Sequence, residues 1–189
     1  CSSMSLKSGK VNKKSQRDFC VHRVIPPRQS TCLEGNKEEL YSMSYSLRDA
    51  NLSDFEFLRR LHRLTLKPYI SQIWGWDEEQ QEKFLRERFD PVQLKIIKLD
   101  QKDIGVLQVE KNHEELFLAK ILLLPECQGQ GIGTKIVMDV IKSAGRLPVT
   151  LRVLKPNPAK KLYERLGFVT THEDDVRFFM KRNSVIGDI

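Results

Sequence analysis

The stretch Ile121–Ile141 reads ILLLPECQGQGIGTKIVMDVI, and the rest of the chain is organised around it. An apolar run of strand character leads into Pro125, a glycine-rich turn follows, and apolar residues then recur at helical spacing. Glycines at 129, 131 and 133 permit backbone conformations closed to other residues and let a ligand approach closely. Because the first amides of a helix lack partners within it and its dipole makes that end positive, we predict an anion-binding turn, most often for phosphate.

Glycine spacing separates three kinds of phosphate-binding turn. A dinucleotide-binding fingerprint that began at Gly129 would need its last glycine at the position of Thr134. A P-loop needs Gly-Lys-Ser/Thr, whereas Gly133 is followed by Thr134 and then Lys135. What remains is the pattern Gln-x-x-Gly-x-Gly, which begins at Gln128.

This pattern resembles the Gln/Arg-x-x-Gly-x-Gly/Ala signature of the Gcn5-related N-acetyltransferase (GNAT) family. A second block, Asn157–Phe168, is similar to the Asn-x-x-Ala-x-x-x-Tyr-x-x-x-Gly-Phe region of the same family, except that Ala159 follows Asn157 by two positions. The resemblance covers residues 45–181. It implies an α+β fold with a mixed, mostly antiparallel central sheet, flanked by helices and splayed between the fourth and fifth strands.

The order of elements read from the chain, β-α-α-β-β-β-α-β-α-β-β, agrees with that fold. A capping box at Ser53 and Glu56 predicts the start of the first helix, and Pro68 predicts its end. The other expected elements are strands at 45–47, 93–99, 104–110, 115–124, 149–154, 168–171 and 176–181, and helices at 77–90, 132–144 and from Asn157.

The resemblance implies acetyl-CoA as co-substrate, with its pantetheine arm in the gap between the splayed strands. The backbone of Ile121 and Leu123 would pair with that arm, and the main chain after them would hold the pyrophosphate. Asn157 would bond the pantetheine amide, cap its own helix, or both. The residues expected to bind the cofactor are Ile121, Leu123, Gln128, Gly129, Gln130, Gly131, Ile132, Gly133, Thr134 and Asn157; the alternative is a tight turn without a ligand.

Acetyl transfer to an amine by direct attack needs a group that takes the amine proton, because an alkyl amine is protonated at neutral pH. Glu115 is the first candidate: strand alternation predicts that it shares a face with Ile121 and Leu123. Glu110 is the second candidate, and a solvated charge beside a turn is the alternative for Glu115. Tyr163 stands where the family has its general acid for the departing thiolate, although it also belongs to an apolar helical face.

The segment Tyr69–Asp77 is rich in aromatic residues, and we expect it to form a loop between the first two helices. By the fold it would border the acceptor side. Tyr69, Trp74 and Trp76 would line the pocket, and Asp77 would attract a cationic amine. The alternative is that both tryptophans pack the helix pair into the core.

The chain of 189 residues carries a formal net charge of +7. Residues 1–30 hold seven lysines and arginines and one aspartate, so six of the seven net charges lie there. We therefore expect a basic, disordered leader (1–42), one acetyltransferase domain (43–183) and a short tail (184–189). Because the positive charge lies in the leader, the sequence does not predict a nucleic-acid partner for the domain. Binding of nucleic acid by residues 1–30 is a separate interpretation.

Neither a membrane span nor a secretory signal is evident, so the predicted location is cytoplasmic, without a membrane partner. The cysteines and histidines are scattered without zinc spacing, so no metal is expected. Cys127 lies in the phosphate turn, where the helix dipole could lower its pKa, but we interpret it as an ordinary loop residue.

Together these patterns predict an acetyl-CoA-dependent N-acetyltransferase whose acceptor is an amine of a small molecule or a peptide. The rival interpretation is a non-catalytic sensor or interaction module that binds acyl-CoA. The acceptor and the oligomeric state, including a homodimer, are left open.

Overall fold

The computed structural model describes residues 44–184. Within them, seven strands form a single sheet. In chain order the strands and helices are β1 (Ser46–Asp49), α1 (Phe55–Ile73), α2 (Glu78–Arg88), β2 (Lys95–Leu99), β3 (Lys102–Lys111), β4 (Leu116–Leu123), α3 (Ile132–Ala144), β5 (Val149–Leu154), α4 (Lys160–Arg165), β6 (Val169–Glu173) and β7 (Arg177–Arg182).

The sheet is mixed, with the strand order β1-β2-β3-β4-β5-β7-β6. β4 and β5 are parallel, and every other neighbouring pair is antiparallel. α3 makes the crossover between the two parallel strands, as a parallel connection requires. The predicted fold class and the predicted order of elements are confirmed.

Two buried clusters occupy the two faces of the sheet. The α3-side core contains Leu118, Leu123, Val153 and Tyr163 together with the apolar face of α3. The α1-side core lies on the opposite face and joins the apolar residues of α1 to alternate residues of the strands. Its members are Leu58, Leu61, Leu66, Tyr69, Ile70, Leu85, Leu94, Ile96, Val106, Leu122 and Leu154.

The first helix starts and ends elsewhere than predicted. Asn51 and Asp54 form the capping box: Asn51 Oδ1 accepts from Ser53 N at 2.9 Å, and Asp54 Oδ2 accepts from Asn51 N at 2.8 Å. The expected box at Ser53 and Glu56 is therefore wrong. Pro68 lies inside α1, which continues to Ile73.

Pro68 cannot make the amide bond to the residue four positions earlier, and its ring crowds the carbonyl of that residue. That residue, Leu64, is exposed, so its carbonyl remains accessible to water. Burial of Tyr69 and Ile70 in the α1-side core offsets the cost of the lost bond.

A β-bulge in β4 changes which residues share a face. Gln108 pairs with Lys120 and Val109 with Leu118, so Ala119 is the extra residue. Before the bulge Leu116 and Leu118 belong to the α3-side core, and after it Ile121 and Leu123 do.

Alternation before the bulge therefore puts Glu115 and Phe117 on the α1 side of the sheet. The expectation that Glu115 shares a face with Ile121 and Leu123 is wrong, because the extra residue reverses the alternation.

Predictions for the leader (1–42) and the tail from 185 onward lie outside the described residues. Among residues 44–184, no helix is both long enough and apolar enough to span a bilayer.

Candidate active site

The parallel strands β4 and β5 form a fork. They pair only from Leu116 with Val149 to Leu118 with Leu151, at their amino-terminal ends. Beyond Leu118 and Leu151 the two strands continue without pairing to each other, so the sheet is open between them.

The backbone of β4 beyond the bulge is directed into this gap. Leu124 N donates to Ile104 O of the β3 side at 2.8 Å. Because successive residues of a strand point their polar groups to opposite sides, the amides of Ile121 and Leu123 face away from β3, toward β5. This is the geometry that an extended ligand needs if it is to pair with β4 as an additional strand.

The glycine turn follows directly. Gly129 has φ 75° and Gly131 has φ 83°, both in the left-handed region. Gly131 is the residue that immediately precedes α3. Two of the three glycines are thus needed for backbone conformation, and Gly133 is buried in the first turn of the helix.

A run of main-chain amides in this turn makes no bond within the described chain. Within residues 44–184, the amides from Gly129 to Thr134 have no backbone or side-chain acceptor, and the first amide of the helix that does is Lys135 N, which donates to Gly131 O at 3.0 Å. Unpaired amides at the positive end of a helix form an anion site, so these residues fit the pyrophosphate of a nucleotide-like cofactor.

Gln128 fixes this turn to the end of β4. Its side chain is buried, and Nε2 donates to Leu123 O at 2.7 Å. The carbonyl of Leu123 is therefore occupied, whereas the Leu123 amide still faces the gap. Gln130 is different: its exposed side chain donates to Glu126 O at 2.7 Å within the turn itself.

Asn157 and Tyr163 lie on the α3 side of the fork. Asn157 Oδ1 accepts from Ala159 N at 2.9 Å, so it caps the turn that leads into α4, although the helix begins only at Lys160. Tyr163 is fully buried and packs edge-to-face on Phe168, with ring centroids 5.8 Å apart. It belongs to the same core as Leu123 and Val153, the residues of both strands beyond the point of separation.

Glu115 and Glu110 are close to each other at the closed end of the fork. Glu115 precedes β4, and its amide donates to Asn112 Oδ1 in the turn at 2.8 Å. Glu110 is paired across the strands with Phe117 and accepts from Gln108 at 2.9 Å. Glu115 lies three residues, or about 10 Å of extended strand, before Leu118.

The segment Tyr69–Asp77 is mostly not a loop. Tyr69 to Ile73 belong to α1, and Tyr69 is buried in the α1-side core, where burial raises its pKa. The expectation of an exposed aromatic loop is therefore wrong for this part. Trp74 and Trp76 are half-buried and pack against the same core, and Trp76 also lies 5.7 Å from the ring of His62.

Asp77 caps α2. Its carboxylate accepts from Gln80 N at 3.0 Å, and the residue is exposed. Trp76 is contacted by Lys67, whose ammonium is 5.6 Å from the ring centroid. Trp76 lines the outer groove between α1 and α2. The role of Trp76 and Asp77 in acceptor binding stays a prediction.

Sequence reasoning missed a set of side chains on the α1 side of the fork. Phe117, Arg152 and Phe179 are half-buried there, with the Arg152 guanidinium between the two rings. The sequence did carry a signal for this set: polar Thr150 and Arg152 alternate with apolar residues in β5. Central parallel strands are usually apolar on both faces, so a polar face on such a strand indicates an exposed or functional surface.

Cys127 does not have the chemistry of a nucleophile. Burial raises the pKa of its thiol, and the neighbouring carboxylate of Glu126 raises it further. Both effects disfavour the thiolate, so the interpretation as an ordinary loop residue is favoured. Residues 44–184 contain no group of three or more histidine, cysteine or acidic side chains arranged to hold a metal ion.

The forked parallel pair and the amide-rich turn are the two features that the resemblance to the GNAT family implies. Residues 91–170 match the model of the acetyltransferase (GNAT) domain family. No curated protein matches the sequence.

Three solved structures illustrate the likeness of the fold. PaiA N-acetyltransferase from Thermoplasma acidophilum, in complex with coenzyme A, has a TM-score of 0.60 and 22% identity, covering 75% of this chain and 100% of that chain. Spermidine N-acetyltransferase from Vibrio cholerae, in complex with CoA and spermine, has a TM-score of 0.54 and 21% identity over 74% of this chain and 95% of that one. The ribosomal-protein-S18-alanine N-acetyltransferase from Escherichia coli has a TM-score of 0.54 and 18% identity, covering 77% and 97%.

Proposed function

We propose that this protein transfers the acetyl group of acetyl-CoA to an amine of a small molecule or a peptide, by direct attack of the amine on the thioester. The observation that carries the proposal is the conjunction of the open fork after Leu118 and Leu151 with the unpaired amides from Gly129 to Thr134. Acetyl-CoA supplies an acetyl group that is already activated as a thioester. The protein must bind acetyl-CoA and the amine, orient them for attack, and move one proton from the amine and one to the departing sulfur.

Binding would divide between two backbone surfaces. The amides from Gly129 to Thr134 hold the pyrophosphate, and the edge of β4 at Ile121 and Leu123 pairs with the pantetheine arm. Asn157 can bond the arm as well as cap its turn. This division leaves the α1-side face of the fork for the acceptor.

Proton transfer would use groups on opposite faces. Tyr163, in the α3-side core, can donate a proton to the departing sulfur, since a phenol of pKa about 10 is an adequate acid for a thiolate of pKa about 8.5. Glu115 or Glu110 can take the amine proton through water, because both flank Phe117 on the α1 side. The distance of Glu115 from the end of strand pairing makes at least one bridging water necessary.

Two measurements test the function. Titration calorimetry with coenzyme A and acetyl-CoA should give saturable binding, and absence of heat with both would overturn the proposal. Detection of free thiol across a panel of amines should then show turnover with at least one of them. Tight binding without thiol release from any amine would instead favour a non-catalytic acyl-CoA sensor. A cytoplasmic location and a homodimer stay predictions.

A further inference from the structure

Arg152 stands at the point where the fork opens. It is the first residue of β5 after Leu151, the last one paired with β4. Its neighbours Leu151 and Val153 are buried in the α3-side core, so the side chain of Arg152 lies on the opposite, α1-side face. An acceptor that reaches the gap from that face passes this residue.

Two aromatic rings lie close to the Arg152 guanidinium. Its Cζ is 5.2 Å from the ring centroid of Phe117 and 5.4 Å from that of Phe179. Phe179 is paired with Arg152 across the strands and stacks on His172 at 4.0 Å, so the guanidinium is held from two sides. Since guanidinium donors all point within its plane, a carboxylate can bind along the edge of the group, and phenylalanine rings offer no acceptor that would compete for these donors.

No carboxylate of residues 44–184 lies within ion-pair distance of Arg152. Arg48, Arg59 and Arg86, by contrast, each have an acidic partner at 2.9 Å or less. A half-buried, immobilised guanidinium on a central strand, without a counter-ion of its own, is arranged to bind an anion from outside.

The face around Arg152 is partly exposed, and it carries Lys120 as well as the carboxylates of Glu110 and Glu115. On the α3 side Tyr163 and Phe168 are buried, with 0% and 2% of their surface exposed. On the α1 side Phe117, Arg152 and Phe179 are only half-buried. Lys120 adds a second cation on this side, since its charge contributes to the lowered pKa of His62 in α1.

We propose that the acceptor is an amine that also carries a carboxylate, and that Arg152 binds this carboxylate at the mouth of the fork. A carboxylate presents two oxygens in one plane and so matches the exposed edge of a single guanidinium. The inference rests on the proposed acetyltransferase function and specifies its substrate class. It also implies that polyamines such as spermidine, which bring only positive charge to Arg152, are poor acceptors.

The test compares matched acceptors with and without the carboxylate. Free amino acids and dipeptides are assayed against their carboxamides by thiol release, with spermidine and an aminoalkyl phosphate as further arms. We expect at least one acid to exceed its amide by about tenfold or more in kcat/KM, as one charge-assisted bidentate contact would produce.

Arg152→Gln should abolish this ratio by raising KM for the acid far more than KM for the amide, and should leave the affinity for coenzyme A unchanged. Arg152→Lys should retain part of the ratio. The matched control is Arg88→Gln, because Arg88 also stacks on a phenylalanine, Phe84, at 4.6 Å but on the surface of α2. This control should keep the full ratio.

Each outcome decides the matter. Equal turnover of acids and amides, an advantage confined to spermidine or to the aminoalkyl phosphate, or an unchanged ratio in Arg152→Gln would overturn the carboxylate assignment while the acetyltransferase function stands. Failure of every amine to release thiol would overturn the function itself, and the substrate class with it. Measuring coenzyme A affinity of each variant shows whether a loss of activity reflects a damaged fold.

Discussion

Gln128 Nε2 donates a hydrogen bond of 2.7 Å to the backbone oxygen of Leu123, and both groups are buried. The bond joins the first residue of the phosphate turn to the last residue of β4. It therefore holds the amides of the turn at a fixed position relative to the strand edge that faces the fork. The glutamine of the motif acts through its side chain, whereas the glycines act through their backbone.

Replacing Gln128 by alanine should weaken coenzyme A binding by about tenfold, because the turn loses its attachment to β4. The free energy of unfolding should fall by about 1–3 kcal/mol, since the buried Leu123 carbonyl loses its donor. Titration calorimetry and denaturant unfolding measure the two effects. Gln130→Ala is the control: its exposed bond to Glu126 O should matter little to either. Equal effects of the two substitutions would show that the Gln128 bond does not position the turn.

Gly129→Ala should reduce affinity for coenzyme A. Gly129 has φ +75° with open space at the Cβ position, so alanine introduces backbone strain of about 1 kcal/mol rather than a clash. Gly75, with φ +77° and the same open space, provides a matched substitution outside the phosphate turn. Both variants should lose similar stability, but Gly75→Ala should bind coenzyme A as the wild type does. An affinity loss common to both would mean that strain in general, not the turn, is responsible.

Tyr163→Phe should lower kcat by about a hundredfold, at the weak end of general-acid effects of about 10²–10⁴, and leave coenzyme A affinity unchanged. The ring keeps its packing on Phe168, so unfolding should change little. Tyr69→Phe, in the α1-side core, is the control and should retain full activity. An unchanged kcat in Tyr163→Phe would show that the Tyr163 hydroxyl has no part in catalysis and that the residue serves only the core.

Glu115→Gln and Glu110→Gln should differ in their effect on acetyl transfer. If Glu115 relays the amine proton, its variant should lose activity near neutral pH and recover part of it at high pH, where the amine is already deprotonated. Steady-state rates between neutral pH and pH 10 measure this, roughly spanning the amine pKa. If only Glu110→Gln loses activity, then Glu110, which is paired with Phe117, takes the amine proton instead of Glu115.

His62 should make the fold sensitive to mild acid. Burial lowers the pKa of His62 to about 4, a bond with Gln81 opposes the shift, and the charge of Lys120 adds to it. Because the folded pKa lies below the unfolded value of about 6.5, the unfolded state takes up a proton first as the pH falls. The neutral imidazole therefore makes its full contribution to the free energy of unfolding above pH 6.5. As the pH falls from 6.5 to 4, up to about 3 kcal/mol of that free energy is lost.

Denaturant unfolding at pH 7 and pH 4.5 measures this dependence. His62→Gln, which keeps a neutral polar group beside Gln81, should flatten it. The same slope in the variant as in the wild type would assign the acid sensitivity to other groups, such as Asp54, whose pKa is lowered mainly by its hydrogen bonds with Arg48.

The sequence by itself determined the order of the elements, the position of the glycine turn and the resemblance to the GNAT family. These follow from local chemistry: left-handed glycines at 129 and 131, the glutamine before them, and hydrophobic period in the helix that follows. These features depend on residues a few positions apart, so a short stretch of sequence is enough to recognise them.

Only the tertiary structure decided which side chains meet at the fork. Ala119 adds one residue to β4 and so reverses every face before it, which moved Glu115 to the α1 side. Pro68 failed to end α1 because burial of Tyr69 and Ile70 outweighs one missing bond. Arg152 acquires its two aromatic neighbours from β4 and β7, strands far from it in sequence. Strand register and burial are properties of the whole sheet, and no local pattern carries them.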